Sequence, residues 1–223
     1  MNIDGSGAGK APLVALVVLV VVVFLLQKGI GVAKGRVEPE WNFLKLTVIA
    51  QNLIAALLPV LLFVSILGLA PREALGLHPP PLARTVVAVV VGFILIFAVN
   101  TALPYLIRPT PEFIKANQSI VAYRNVPELL LSLFTISIVA SVADELFFRG
   151  LILQGLIGNY GKLAAVLITA VLTALFHTLE PFKLAHSFCM GVIFAASVVS
   201  TGSVYTSIIL HGLHNALALL PRG

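Results

Sequence analysis

Three polar islands interrupt long apolar stretches of this 223-residue chain. They are Asp144, Glu145 and Arg149 in SVADELFFRG (141–150), His177 in ALFHTLE, and His211, His214 and Asn215 in LHGLHNA. Charge placed in hydrocarbon costs roughly 2.5–3.5 kcal/mol per group on insertion scales, so such groups face a protein interior and serve a function. Two carboxylates, a set of imidazoles and one carboxamide can activate water and stabilise an oxyanion. Two histidines with one carboxylate are also a catalytic zinc set. If a metal is present, His177, His211 and Asp144 or Glu145 are the available ligands. HExxH is absent and spacing across separate helices does not specify a metal, so two options stay open: no cofactor, or a divalent metal such as zinc.

Within the first island, Glu145 and Arg149 are four residues apart and share a helix face, with the acid on the favourable N-terminal side. They read as a buried ion pair. Asp144 is offset by about 100° on the helical wheel and meets Phe148, not a cation, at i+4. The pair therefore explains two of the three charges and leaves Asp144 over, as a carboxylate able to act as general base or acid. In the third island His211 and Asn215 stack at i and i+4, with His214 near the same side. His177, beside Phe176 and a proline-terminated end, is the weaker candidate. His186, just after Lys183, reads as lying near the membrane surface.

The elements that must position these groups are membrane helices. The chain is 59% hydrophobic and 10% charged, against about 25% charged residues in soluble domains, and its mean hydropathy is +1.07. About 20 apolar residues cross a bilayer. The patterning predicts an all-α, polytopic transmembrane bundle of about seven helices, over 11–26, 43–69, 85–107, 128–157, 163–179, 182–199 and 204–220. The first is expected to be an uncleaved helix and not a signal peptide, because its leader is barely basic and no small-x-small site follows promptly. Trp41 would anchor at the interface. The triple proline in APREALGLHPPPLAR must leave the helix, and GNYGK reads as a turn. Residues 108–128 form the longest polar segment, either a loop or a surface-lying helix, and a candidate lid or substrate-entry element. There is no internal repeat and no soluble domain; the chain divides into N-terminal helices and loops over 1–127 and a four-helix core over 128–220.

A net charge of +5 does not point to nucleic acid, because the basic residues are scattered among loops as positive-inside topology and anionic headgroups would place them. With the N-terminus outside, Lys28, Lys34, Arg36, Lys45, Arg108, Lys115, Arg124, Lys183 and Arg222 fall inside, against Lys10, Arg72, Arg84 and Lys162 outside. That bias favours N-out and C-in. The single Cys189 reads as packing and does not report a redox compartment.

The three islands, in this order and each on its own apolar helix, resemble the motifs of the CAAX-protease and bacteriocin-processing (CPBP) intramembrane proteases, which include the type II CAAX prenyl endopeptidases. The family pattern is Glu-Glu-x-x-x-Arg, then Phe-x-x-x-His, then His-x-x-x-Asn or Asp. The resemblance covers about residues 128–220. It implies an intramembrane peptidase, glutamic-type or metal-dependent, in which Asp144 activates the water, Glu145 and Arg149 support it and His177 helps hold the water. His211 and Asn215 then stabilise the oxyanion, with His214 beside them. It also implies a membrane protein or peptide substrate entering from the bilayer, lipid-modified or carrying a leader or C-terminal sorting segment, in the plasma (inner) membrane of a prokaryote. Two residues depart from the pattern: the first acid is Asp144, one methylene shorter than glutamate, and Thr173 stands where phenylalanine is expected. The first departure keeps open a non-catalytic scaffold that binds transmembrane segments. A proton-coupled transporter is the other alternative, since carboxylate–histidine chains relay protons, though such proteins often show paired repeats.

Overall fold

With no water in the bilayer core, a spanning backbone must satisfy its own polar groups, and helices do so within the segment. Each predicted apolar stretch is helical over most of its described length in the structure, a computed structural model that describes residues 12–34, 41–177 and 179–220. Helix α1 is Leu13–Lys34 and α2 covers 41–66; α3 is Leu82–Leu106 and α4 is Pro111–Val121. A long run from residue 126 to residue 177 is bent at Gly161, whose φ of 75° suits glycine, giving α5 (126–160) and α6 (162–177). Helix α7 is Pro181–Thr201 and α8 is Val204–Leu217. Four of the described helical runs are long and apolar enough to cross a membrane, Phe43–Ile66, Leu82–Leu106, Val126–His177 and Pro181–Thr201, and Leu13–Gly29 is a shorter apolar helix. The chain is an integral membrane protein built as a helical bundle.

The helix ends follow local chemistry. Pro111, Pro127 and Pro181 sit in first turns, where a missing N–H costs nothing. Thr110 Oγ1 accepts from the Phe113 amide at 3.3 Å, Asn125 Oδ1 from Glu128 at 2.9 Å and Glu180 Oε2 from Lys183 at 2.6 Å. Helix α1 runs eight residues past its predicted end at Leu26, because nothing from Gln27 to Lys34 breaks a helix strongly. The GNYGK turn narrows to Gly161, and α8 stops at Leu217. The polar 108–128 segment holds α4, a short amphipathic helix. The side chain of Trp41 lies outside the described residues.

Helix α7 packs on α6 and α3, and α8 packs on α7, α3 and the middle of α5. One apolar core gathers Val23, Val60, Phe147, Phe148, Leu151, Leu153 and Ala195, and a second gathers Ile96, Met190, Phe194 and Leu210. Val90 and Ile94 of α3 point outward, where lipid would cover them. Helix α5 is not uniform: Leu133–Ala140 and Leu146–Ile152 are π-helical, flanking the α-helical turn Ser141–Glu145. Such π segments are frequent at functional sites.

One cation counted in the charge tally, Lys45, is packed inside the bundle. Lys45 is 1% exposed, and its ammonium donates to the carbonyls of Ala122 at 3.0 Å and Glu128 at 3.3 Å. It thereby ties α2 to the end of α4 and the start of α5. Lys45→Met is expected to cost about 1.5–3 kcal/mol, the usual worth of hydrogen bonds from a charged donor. Amide exchange over 111–128 should accelerate in that variant; protection equal to the parent protein would show that the tether does not hold α4.

Candidate active site

Helices α5 to α8 bring the three islands to one cavity of about 1060 Å³, lined in part by Asp144, His177, His211, His214 and Asn215. A smaller compartment of about 50 Å³ shares those five residues and adds Arg149, Thr173 and residues of α7.

The predicted Glu145–Arg149 pair is present and fully buried, at 0% and 1% exposure, with Arg149 Nη1 donating to Glu145 Oε1 at 3.2 Å. It has a third member that spacing could not reveal: His211 Nδ1 donates to the same Glu145 oxygen at 2.8 Å. Arg149 Nη2 donates to the Gly191 carbonyl at 3.2 Å, and the guanidinium lies over the rings of Phe148 and Phe194 at 5.5 and 5.4 Å. Phe194 also stacks on His211 at 4.8 Å. One hydrogen-bonded and aromatic cluster thus locks α5, α7 and α8 together. Because a carboxylate oxygen only accepts, the His211 proton sits on Nδ1, which leaves Nε2 for other work.

His177 is oriented by similar logic. Its Nδ1 donates to the Thr173 carbonyl at 2.9 Å, so Nε2 of the neutral ring carries a lone pair. This anchor is a backbone group, which any residue at 173 supplies. The departure from the family pattern at Thr173 therefore leaves the orientation of His177 intact, and the Thr173 hydroxyl is absorbed by the Thr169 carbonyl at 2.9 Å. Phe176 packs against Phe24, Phe147 and Phe148 at 5.2–5.4 Å between ring centroids, fixing the end of α6.

Asp144 is only partly buried and lines both compartments. Among the described residues its carboxylate makes no hydrogen bond and no ion pair, and it interacts at longer range with His211, Glu145, Arg149 and Lys183. The leftover acid of the helical wheel is thus also the uncommitted acid of the cavity.

Asn215 is engaged. Its Nδ2 donates to the Ile136 carbonyl at 2.8 Å and to Ser141 Oγ at 3.2 Å. Ile136 lies in the first π segment, whose geometry turns this carbonyl toward α8. The approach is close: a Cβ on Gly212 would fall 2.7 Å from the Ser137 carbonyl oxygen. His214 has its ring centroid 6.0 Å from that of His186.

His186 is a further group of the cavity. It lines both compartments, and its Nε2 donates to Asn100 Oδ1 of α3 at 2.9 Å. Lys183 and Asn100 are further cavity groups that the motifs did not mark. A signal existed: Lys183, His186, Ser187, Met190 and Phe194 recur at three- and four-residue intervals, the stripe of one helix face, and all five line the smaller compartment. Among the described residues no three His, Cys, Asp or Glu side chains converge to hold a metal ion.

Residues 126–217 match the family described as Rce1-like: Type II CAAX prenyl endopeptidase Rce1-like. No curated protein and no solved structure matches the chain. All three motifs, the buried Glu145–Arg149–His211 cluster and the uncommitted Asp144 lie within the matched segment, and the match supports the CAAX-protease (CPBP) family of intramembrane proteases.

Proposed function

We propose that the cavity hydrolyses a peptide bond at or near the membrane, with Asp144 as the base that takes a proton from water and His177 Nε2 as the group that holds that water. The observation carrying this reading is the division between the two adjacent acids. Glu145 is wholly buried, with its Oε1 shared by Arg149 and His211, whereas Asp144 lines the cavity with no hydrogen bond among the described residues. The resulting hydroxide attacks the peptide carbonyl. His211, held through Nδ1 by Glu145, stabilises the developing oxyanion. Asn215 joins the oxyanion only by releasing Ser141 Oγ, the longer of its two bonds; otherwise it fixes α8 on the π segment. Collapse of the tetrahedral intermediate passes a proton to the leaving amine from Asp144.

The substrate is a lipid-modified, leader or C-terminal segment that enters the cavity from the bilayer. Its large compartment is walled by α1, α2, α3, α4 and α8 as well as by the catalytic groups, so a bulky apolar substituent has room there. The membrane is proposed to be a prokaryotic plasma membrane, with the N-terminus outside.

The test is cleavage of a panel of internally quenched, S-farnesylated and unmodified peptides by the purified full chain, with His211→Ala alongside. Cleavage by the parent protein and its loss in His211→Ala, with expression retained, is the expected result. Activity is expected to survive exhaustive chelation, because the candidate ligands do not converge and Glu145 and His211 are hydrogen-bonded to each other. Metal-dependent activity would instead assign the water to a cation. A second reading rests on the shorter acid at position 144: a scaffold that binds such peptides without cutting them. Binding across the panel with no cleavage of any member would establish it.

A further inference from the structure

Among the described residues the large cavity is lined by one acid and one lysine, Asp144 and Lys183; its other polar lining groups are imidazoles, carboxamides and one phenol. Lys183 stands in the first turn of α7, where its backbone amide is already used by Glu180. Among the described residues its ammonium makes no hydrogen bond and no ion pair, and the acid it feels is Asp144. Arg149, the other cation of the smaller compartment, is committed to Glu145 and the Gly191 carbonyl. An anionic group entering this cavity therefore meets the ammonium of Lys183.

We infer that Lys183 is a specificity-determining residue that binds a carboxylate of the peptide substrate close to the scissile bond, an inference that rests on the peptidase reading above. Proximity follows from the shared compartment: Lys183, Asp144, His177 and His211 all line the same small space, so a carboxylate on Lys183 lies near the carbonyl that Asp144-activated water attacks. Lysine suits the task as a compact point charge with freely rotating donors. The carboxylate has two possible sources, the C-terminus of the peptide or an Asp or Glu side chain flanking the cleavage site.

Matched quenched peptides separate these sources. One pair differs only in a C-terminal acid or amide, and the other only in Asp or Asn beside the cleavage site. With the full chain in zwitterionic nanodiscs, one pair is expected to show a preference for its charged member of roughly tenfold in kcat/KM, about the worth of one charge-assisted hydrogen bond. The preference should reside in KM. Lys183→Met should abolish it while cleavage of the neutral member continues, and Lys183→Arg should restore part of it. The pair that responds names the source. Equal cleavage within both pairs by the parent protein, or equal loss on all peptides in Lys183→Met, overturns the assignment. Anisotropy of labelled acid and amide peptides supplies a readout independent of turnover. If nothing is cut, yet the charged peptide binds better and Lys183→Met removes the difference, the subsite stands and the peptidase reading falls. Competition by phosphatidic acid, with no preference between charged and neutral peptides, assigns Lys183 to a lipid phosphate and overturns the peptide assignment.

Discussion

Asp144→Asn is expected to lower kcat on a cleaved reporter by about 10²–10⁴-fold, the usual contribution of a positioned general base. KM and the thermal midpoint should stay close to those of the parent protein. The stability half of this expectation follows from the structure: among the described residues Asp144 makes no hydrogen bond or ion pair, so an isosteric amide leaves nothing buried without its partner. The activity half follows from the chemistry, since an amide cannot take a proton from water. Asp144→Glu separates position from type. A shift of about 1 Å in a reacting group can cost about 10²-fold, and glutamate adds one methylene at a side chain that faces open volume. The longer acid is expected to work at least as well as the native one, because the cavity wall gives it room to fold back. Full activity in Asp144→Asn would move the base to Glu145. A melting point lowered by several degrees in Asp144→Asn would instead show that the aspartate holds the bundle together.

The helices were legible because apolar runs of bilayer length leave little choice, and the order of the motif-bearing helices was legible with them. Asp144 could be singled out by wheel geometry alone, since one turn of helix fixes which neighbours an acid can reach. What the linear sequence concealed is pairing across helices. Glu145 and His211 lie far apart in the chain, and only the packing of α8 on α5 brings His211 Nδ1 within 2.8 Å of the Glu145 oxygen. The π segments were equally hidden, because LFTISIVA is as apolar at one helical period as at another, and it is the closeness of Gly212 to Ser137 that matters there. The surroundings of Lys183 and Lys45 were hidden for a physical reason. Each stands near a helix end flanked by polar or proline-containing sequence, which ordinarily means a membrane surface. In this fold the helix ends border a cavity (Lys183) or are covered by α4 and α5 (Lys45).

Breaking the buried cluster tests whether Glu145 acts through position or through stability. Arg149→Met is expected to cost about 3–5 kcal/mol, because it leaves a fully buried carboxylate without its cation. The thermal midpoint in detergent should fall steeply and activity with it, an outcome that any core lesion could produce. The double variant Arg149→Met/Glu145→Leu resolves the ambiguity. It removes both charges, and replacement of a buried ion pair by apolar groups of similar size is often neutral or stabilising by about 1–4 kcal/mol, so the fold is expected to recover most of its midpoint. Cleavage is expected to stay lost. His211 in that variant has no acceptor for Nδ1–H, its ring is held only by stacking on Phe194, and the tautomer that presents Nε2 to the cavity is no longer enforced. Recovery of stability without recovery of turnover makes Glu145 a positioning residue for His211. Recovery of both would mean that His211 needs no carboxylate behind it, and that the Glu145–Arg149 pair serves the bundle and not the reaction.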